Sequence, residues 1–139
     1  EDDPYYFLDF EHMDKAYNEK AVSFQSMDVE ARVIRTDSFS KILSSGFRVG
    51  WLSAHRSLVS NIELNYQSTC LHTSCLSQMC LYKLLAQYWQ ENVFSAHLNN
   101  VCRFYYDRSQ LFGELLSKHF AGSNAELITW KAPRGGMFY

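Results

Sequence analysis

The chain reads as an α/β fold, and three features of its pattern predict this. Residues 31–38 (ARVIRTDS) and 48–53 (RVGWLS) are short runs rich in β-branched residues, as strands are. From His55 onward, apolar residues recur at helical spacing. Between the two strands lies a polar, glycine-bearing stretch, residues 36–51 (TDSFSKILSSGFRVGW). It sets chemistry-bearing side chains at strand ends and in the loops after them, where open α/β sheets bind ligands.

In chain order, residues 1–10 (EDDPYYFLDF) open acidic, pass a proline and become aromatic. Asp3 and Tyr6 stand at an Asp-x-x-Tyr spacing, and so do Asp2 and Tyr5; spacing does not choose between them. Residues 9–25 are polar, carry both signs of charge and lack periodicity, so they read as a surface connection. Residues 24–28 read as a short extended piece. The first strand delivers Ser38 at its end, with Lys41 on the turn beyond. In the second strand, Gly50 suits a close backbone approach.

Residues 55–67 place Leu58, Ile62 and Tyr66 four apart on one helix face. Residues 67–74 are polar and irregular, with Ser74 a candidate cap. Residues 75–90 bring Met79, Tyr82, Leu85, Tyr88 and Trp89 to helical spacing, which predicts a core-facing helix rather than a cofactor box. Residues 93–120 support a long helix, with Phe94, Leu98, Val101, Tyr105, Leu111, Leu115 and Leu116 roughly tracking one face and Gly122 just past its end. Residues 125–132 (AELITWKA) alternate as a strand, and PRGGMFY follows.

Composition narrows the function. With 139 residues, 47% of them hydrophobic, the chain can bury a core and is not of disordered type. A formal charge of −2 lacks the basic footprint of a nucleic-acid binder. No apolar run reaches membrane-spanning length and no signal peptide opens the chain. It begins without methionine and stops at GGMFY in what reads as mid-strand, so an internal fragment of a longer protein is expected. Cys70, Cys75, Cys80 and Cys102 form no C-x-x-C pair and no zinc spacing with histidine, so no metal site is expected. Reduced thiols filling a core are the expectation, which points to an intracellular compartment.

The central stretch carries the chemistry. A lysine that works covalently must be reached as a neutral amine. Lys41 has Ser38 three residues before it and Arg48 seven residues after it. A hydroxyl and an arginine are donors suited to a phosphate, which arginine can grip with two parallel hydrogen bonds. A lysine among serines is usually just a solvated turn; the flanking donors would also suit pyridoxal 5′-phosphate held as a Schiff base on Lys41, and the residues alone do not choose between the two.

The run S-x-S-K, followed by G-x-R and G, resembles the lysine segment of the fold-type-I pyridoxal-phosphate aminotransferases of class I/II. Asp-x-x-Tyr, the long helix and Gly-Gly-Met-Phe appear in that family's order, so the resemblance covers nearly the whole chain. EDDPYYFL, SMDV, RVIR and DSFSK together look most like its kynurenine/α-aminoadipate aminotransferase branch. The chain departs at Thr73, where a proline is usual, and after Phe10.

The resemblance implies part of the family's large domain, a mixed and mostly parallel sheet with helices, in residues 1–110. Residues 111–139 would begin the small C-terminal domain. It implies that Asp3 pairs with the pyridine nitrogen, that Tyr6 hydrogen-bonds the ring oxygen, and that Ser38, Ser40 and Arg48 anchor the phosphate around Lys41. The implied activity is transamination between an L-amino acid and a 2-oxo acid such as 2-oxoglutarate, in a homodimer of the cytoplasm or mitochondrion. The fragment alone would be inactive. Rival readings are the aminotransferase-like domain of a DNA-binding regulator, a degenerate product, and a lyase or synthase of the same fold.

Overall fold

The computed structural model describes residues 1–13, 15, 21–120 and 128–139. They fall into two compact units: Glu1–Pro4 with Ala21–Ser95, and Tyr5–Lys20 with Ala96–Tyr139.

The first unit is built on strand β1 (Arg35–Ser38), which pairs antiparallel with β2 (Gly50–Ser53) so that Ser38 lies opposite Gly50. On the other edge of β1, Asp2 forms a parallel bridge with Thr36. Thr36 N–H donates to Glu1 O at 2.9 Å, and Asp3 N–H donates to Thr36 O at 3.3 Å. β1 therefore runs between two neighbours. Where a mostly parallel sheet is expected of the family's large domain, the ladder among the described residues is antiparallel, with single bridges beside it. Residues 39–49 are too few for the helical crossover that parallel pairing needs.

Both strands are shorter than their β-branched runs. Residues 31–34 stay out of the ladder because Asp28 takes their backbone. Its Oδ1 accepts Glu30 N–H at 3.1 Å and its Oδ2 accepts Val33 N–H at 2.7 Å, across an Ala31 held at φ 60°. Residues 24–28 are likewise not extended. A 3-10 turn runs over Gln25–Met27, and just before it Ser23 Oγ accepts Ser26 N–H at 3.1 Å. In both places a short polar side chain offers the backbone an alternative to a strand.

Helix α1 (Arg56–Thr69) starts at His55, whose Nδ1 accepts Ser57 N–H at 3.4 Å. Helix α2 (Cys75–Tyr82) is capped as expected by Ser74, whose Oγ accepts Ser77 N–H at 3.5 Å. The expected buried faces are not found. Ile62 and Tyr66 on α1 are 36% and 41% exposed, and α2 buries Leu81 rather than Met79 or Tyr82. Lys83–Tyr88 then wind as a π-turn, which breaks the 3.6-residue period on which the face was counted. The cysteines also correct the expectation of core thiols: Cys70, Cys75 and Cys80 are exposed and Cys102 alone of the four is buried. The first three sit at the end of α1 or on the outward side of α2.

The second unit holds the 3-10 turn Tyr6–Leu8 and most of helix α3 (Glu91–Phe120). Among its described residues Leu8, Leu98 and Cys102 are buried, the last two one helical turn apart. The Cys102 thiol donates to Asp9 O at 3.5 Å. Asp9 forms an antiparallel bridge with Gly135, flanked by Phe10 N–H to Arg134 O at 3.0 Å and Gly136 N–H to Leu8 O at 2.8 Å. A side chain at Gly135 would meet Leu8 O at 2.6 Å, so the approach requires glycine. Arg134 forks onto Glu11, and that hydrogen bond holds the Glu11 carboxyl below its usual range. The GGMFY segment thus contributes one bridge where a strand is expected. Residues 128–132 form no strand, and residues 125–127 and Gly122 lie outside the described residues. No helix of the described residues is long and apolar enough to cross a membrane.

Two expectations follow from the first unit. A Cβ at Gly50 would lie 2.6 Å from Asp37 O. Gly50→Ala should therefore cost about 1–3 kcal/mol, the usual range for overpacking, read as a lower urea midpoint with an unchanged slope. The Asp28 carboxyl is held below its usual range, first by the Val33 N–H. A depressed folded pKa means that its support is complete above the unfolded pKa and is lost as pH falls through the folded one. Protection of the Val33 amide from exchange should fall over that acid window in wild type, and Asp28→Asn should flatten the dependence.

Candidate active site

β1 ends at Ser38, and the turn of residues 39–43 carries the chain over to Lys41. The turn is fixed at both ends: Phe39 N–H donates to Val49 O at 3.1 Å, and Leu43 N–H to Phe39 O at 2.9 Å. Ile42, 2% exposed, anchors it from below, while the Phe39 and Trp51 rings pack at 4.7 Å. Lys41 is half-buried.

The hydroxyls gather at this turn. Ser38 Oγ donates to Ser40 Oγ at 2.9 Å and accepts Ser40 N–H at 3.1 Å. Arg48 Nη1 donates to Ser45 O at 3.1 Å and reaches Ser40 Oγ at 3.5 Å. Arg48 sits at φ 51°, left-handed backbone that a non-glycine residue seldom adopts, at the end of the 3-10 turn Ser45–Phe47. Two hydroxyls and a guanidinium thus share one hydrogen-bonded cluster on the turn that contains Lys41. By its donor chemistry this set fits a phosphate-bearing group.

Asp3 joins through the backbone, since its segment pairs with Thr36, two residues before Ser38. The neighbouring Asp2 is committed elsewhere: its Oδ1 accepts the Thr36 hydroxyl at 2.7 Å. Asp3, Ser38, Ser40, Lys41 and Arg48 all belong to the first unit. Tyr6 belongs to the second, where it opens the 3-10 turn and packs edge-on against Phe7 with centroids 5.3 Å apart.

On β1, ahead of the turn in the chain, lies a charged group that sequence reading passes over. Arg35 donates through Nε to Asp37 Oδ2 at 2.7 Å, through Nη2 to Asp37 Oδ1 at 3.0 Å, and through Nη1 to Glu1 Oε1 at 3.0 Å. The hydrogen bonds to Asp37 raise the Arg35 pKa against the opposing effect of burial, and the charges of Asp37, Glu1 and Asp3 add to the rise. The i, i+2 spacing of Arg35 and Asp37 on a predicted strand was the available signal, because it puts both on one face. Their partner Glu1 carries no local signal.

Other candidate sites lie elsewhere. Among the described residues, Asp9, Glu11 and His12 cluster with potential metal-ligating atoms within 4.8 Å of one another. Those atoms are already engaged, His12 with Asp9 at 2.5 Å and Glu11 with Arg134. A cavity of about 390 Å³ in the second unit is lined by Tyr105, Arg108, Phe112, Met137 and Tyr139, among others, and holds none of the expected site residues.

The chain is similar to the mitochondrial kynurenine/alpha-aminoadipate aminotransferase of Rattus norvegicus, with 41% identity over 138 residues, 99% of this chain and 30% of the rat protein. Among solved structures it is similar to kynurenine aminotransferase of Pyrococcus horikoshii in complex with PMP, with TM-score 0.75, 31% identity, and coverage of 98% of this chain and 30% of that one. It is also similar to alpha-aminoadipate aminotransferase of Thermus thermophilus complexed with N-(5′-phosphopyridoxyl)-L-leucine, with TM-score 0.79, 30% identity, and coverage of 97% and 32%. The chain spans about 30% of the length of the curated relatives it matches. The profile described as aminotransferase class I and II matches residues 3–139, a run that contains Asp3, the serine–lysine turn and Arg48. The chain belongs to the class I and II aminotransferase family.

Proposed function

We propose that this chain is the lysine-bearing segment of a pyridoxal-phosphate-dependent aminotransferase. The reaction moves an amino group from an L-amino acid of kynurenine, 2-aminoadipate or aromatic type to a 2-oxo acid such as 2-oxoglutarate. One observation carries the reading: Ser38, Ser40 and Arg48 form a hydrogen-bonded donor cluster on the turn that presents Lys41. The similarity to kynurenine and aminoadipate aminotransferases supports the choice of substrates.

When bound, the cofactor supplies an aldehyde for imine formation and a ring that accepts the electron pair left by a departing proton. Lys41 Nζ would be the amine of attachment, and the same amine would carry a proton to and from the substrate α-carbon. The hydroxyls of Ser38 and Ser40 and the Arg48 guanidinium donate to the phosphate, which fixes the geometry around Lys41. By the family resemblance, Asp3 would accept from the protonated ring nitrogen. The family resemblance would give Tyr6 the role of donor to the ring oxygen.

In this reading residues 1–110 belong to the cofactor-binding large domain and residues 111–139 begin the small one. The working molecule is a homodimer, supported by the exposed apolar residues Leu64, Leu71, Leu76 and Met79 in and between α1 and α2. We place it inside the cell, in the cytoplasm or the mitochondrion, the compartment named for the rat relative.

In the complete protein that carries this chain, borohydride reduction followed by mass spectrometry should find the cofactor on the Lys41 peptide, and Lys41→Ala should lose both the adduct and the visible absorbance. An unmodified Lys41 peptide from cofactor-saturated wild type sinks the assignment. Asp3→Ala should lower turnover by about 10²-fold or more, the scale on which a positioned electrostatic partner acts. Its melting temperature should stay within a few degrees of wild type, so a matching loss of fold and turnover would contradict the role.

A further inference from the structure

We propose that Arg35 is a positioning residue: its guanidinium, forked onto Asp37 and reaching Glu1, locks the segment that carries Asp3 in register with the strand that leads through Ser38 to Lys41. The inference rests on the cofactor roles of Asp3 and Lys41 given above.

The backbone alone specifies this register weakly. The ladder consists of Glu1 N–H to Ile34 O at 2.8 Å, Thr36 N–H to Glu1 O at 2.9 Å, and Asp3 N–H to Thr36 O at 3.3 Å. A slip by two residues keeps every side chain on its own face, so facing alone does not forbid it. Such a slip would carry Asp3 about 6.6 Å along the strand, more than twice a hydrogen-bond length. A carboxylate meant to meet a ring held on Lys41 would miss it.

Arg35 removes that freedom. Asp37 accepts from Nε and Nη2 and thereby fixes the guanidinium plane relative to β1. Nη1 is left aimed across the strand gap, where Glu1 Oε1 meets it at 3.0 Å. The other oxygen of Glu1, Oε2, accepts Gln25 N–H at 3.0 Å, so that carboxylate is held from both sides. The side chains of Arg35, Glu1 and Asp37 are 10%, 9% and 6% exposed. Any shifted register would strand a charge in that enclosed space. Buried ion pairs add little net stability over apolar packing, and their best-attested use is to specify register. Lysine cannot substitute, because only the planar fork serves two carboxylates in fixed directions.

The test uses the complete protein that carries this chain, with Arg35→Lys, Asp37→Asn and the double variant. Three quantities are read: the melting temperature of the cofactor-free protein, the Kd for pyridoxal 5′-phosphate by fluorescence quenching, and the pH midpoint of its visible absorbance. Each single variant should weaken cofactor binding about ten-fold, the lower end of what second-layer partners cost at other bound groups, and should move the pH midpoint. The double variant should add little, because both changes break one fork. Variants that melt earlier yet keep the wild-type Kd and pH midpoint would show that Arg35 only stabilises the fold, and would overturn the proposal. Wild type that fails to bind pyridoxal 5′-phosphate would overturn the cofactor reading and this inference with it, an outcome distinct from any seen in the variants alone.

Discussion

Everything at the lysine turn depends on β1 being held from both edges at once. Thr36 exchanges backbone hydrogen bonds with the Glu1–Asp3 segment on one side and faces Leu52 of β2 on the other. Only four residues long, β1 has no spare length with which to correct a misalignment. The close approach at Gly50 brings β2 onto the Asp37 carbonyl, and the Phe39–Trp51 pair continues that contact past the end of the strand. The turn carrying Lys41 thus inherits its orientation from a backbone fastened two and three residues earlier.

The chemistry of the interior follows from this arrangement. The buried residues of the first unit include two apolar side chains, Ile42 and Leu81, and two charged ones, Arg35 and Asp37. An apolar pair of similar volume at the charged positions would cost less desolvation. It would also be indifferent to register, because apolar contact is not directional. A forked arginine is directional, so the polar interior serves alignment where the short ladder cannot. The exposed fork between Arg134 and Glu11 has the same shape in another setting: at 74% and 46% side-chain exposure it is screened by water and contributes little.

How much of this was legible in the sequence depended on how local each signal was. The Ser74 cap and the long helix were readable because their determinants lie within a turn or two of chain. The order of strand, lysine turn and strand was readable for the same reason, and so was the nearness of Ser38, Ser40 and Arg48 to one another. The extent of β1 was not, because Asp28 captures the amides that the β-branched residues seemed to promise to a ladder. Helical spacing located α1 and α2 but not their buried sides, since periodicity records which residues share a face and not whether anything covers it. The π-turn after α2 shifted that face further. The thiols were misjudged by the same gap between residue type and surroundings. The Arg35 brace needed Glu1, 34 positions away, which no local window contains.

Arg48 shows how the two levels meet. Its backbone adopts a left-handed conformation that glycine would take without strain. By conformational preference alone the position should be glycine, and for an ordinary residue the conformation costs on the order of 1 kcal/mol. A glycine there, however, could not donate to Ser45 O or reach Ser40 Oγ, and the cluster would lose its one permanent positive charge. The strained backbone also turns the side chain back toward the serines as the chain leaves the Ser45–Phe47 turn for β2. Local rules are most often broken where a functional group must stand in one place. The arginine at this position is therefore better explained by what its guanidinium reaches than by the turn it occupies.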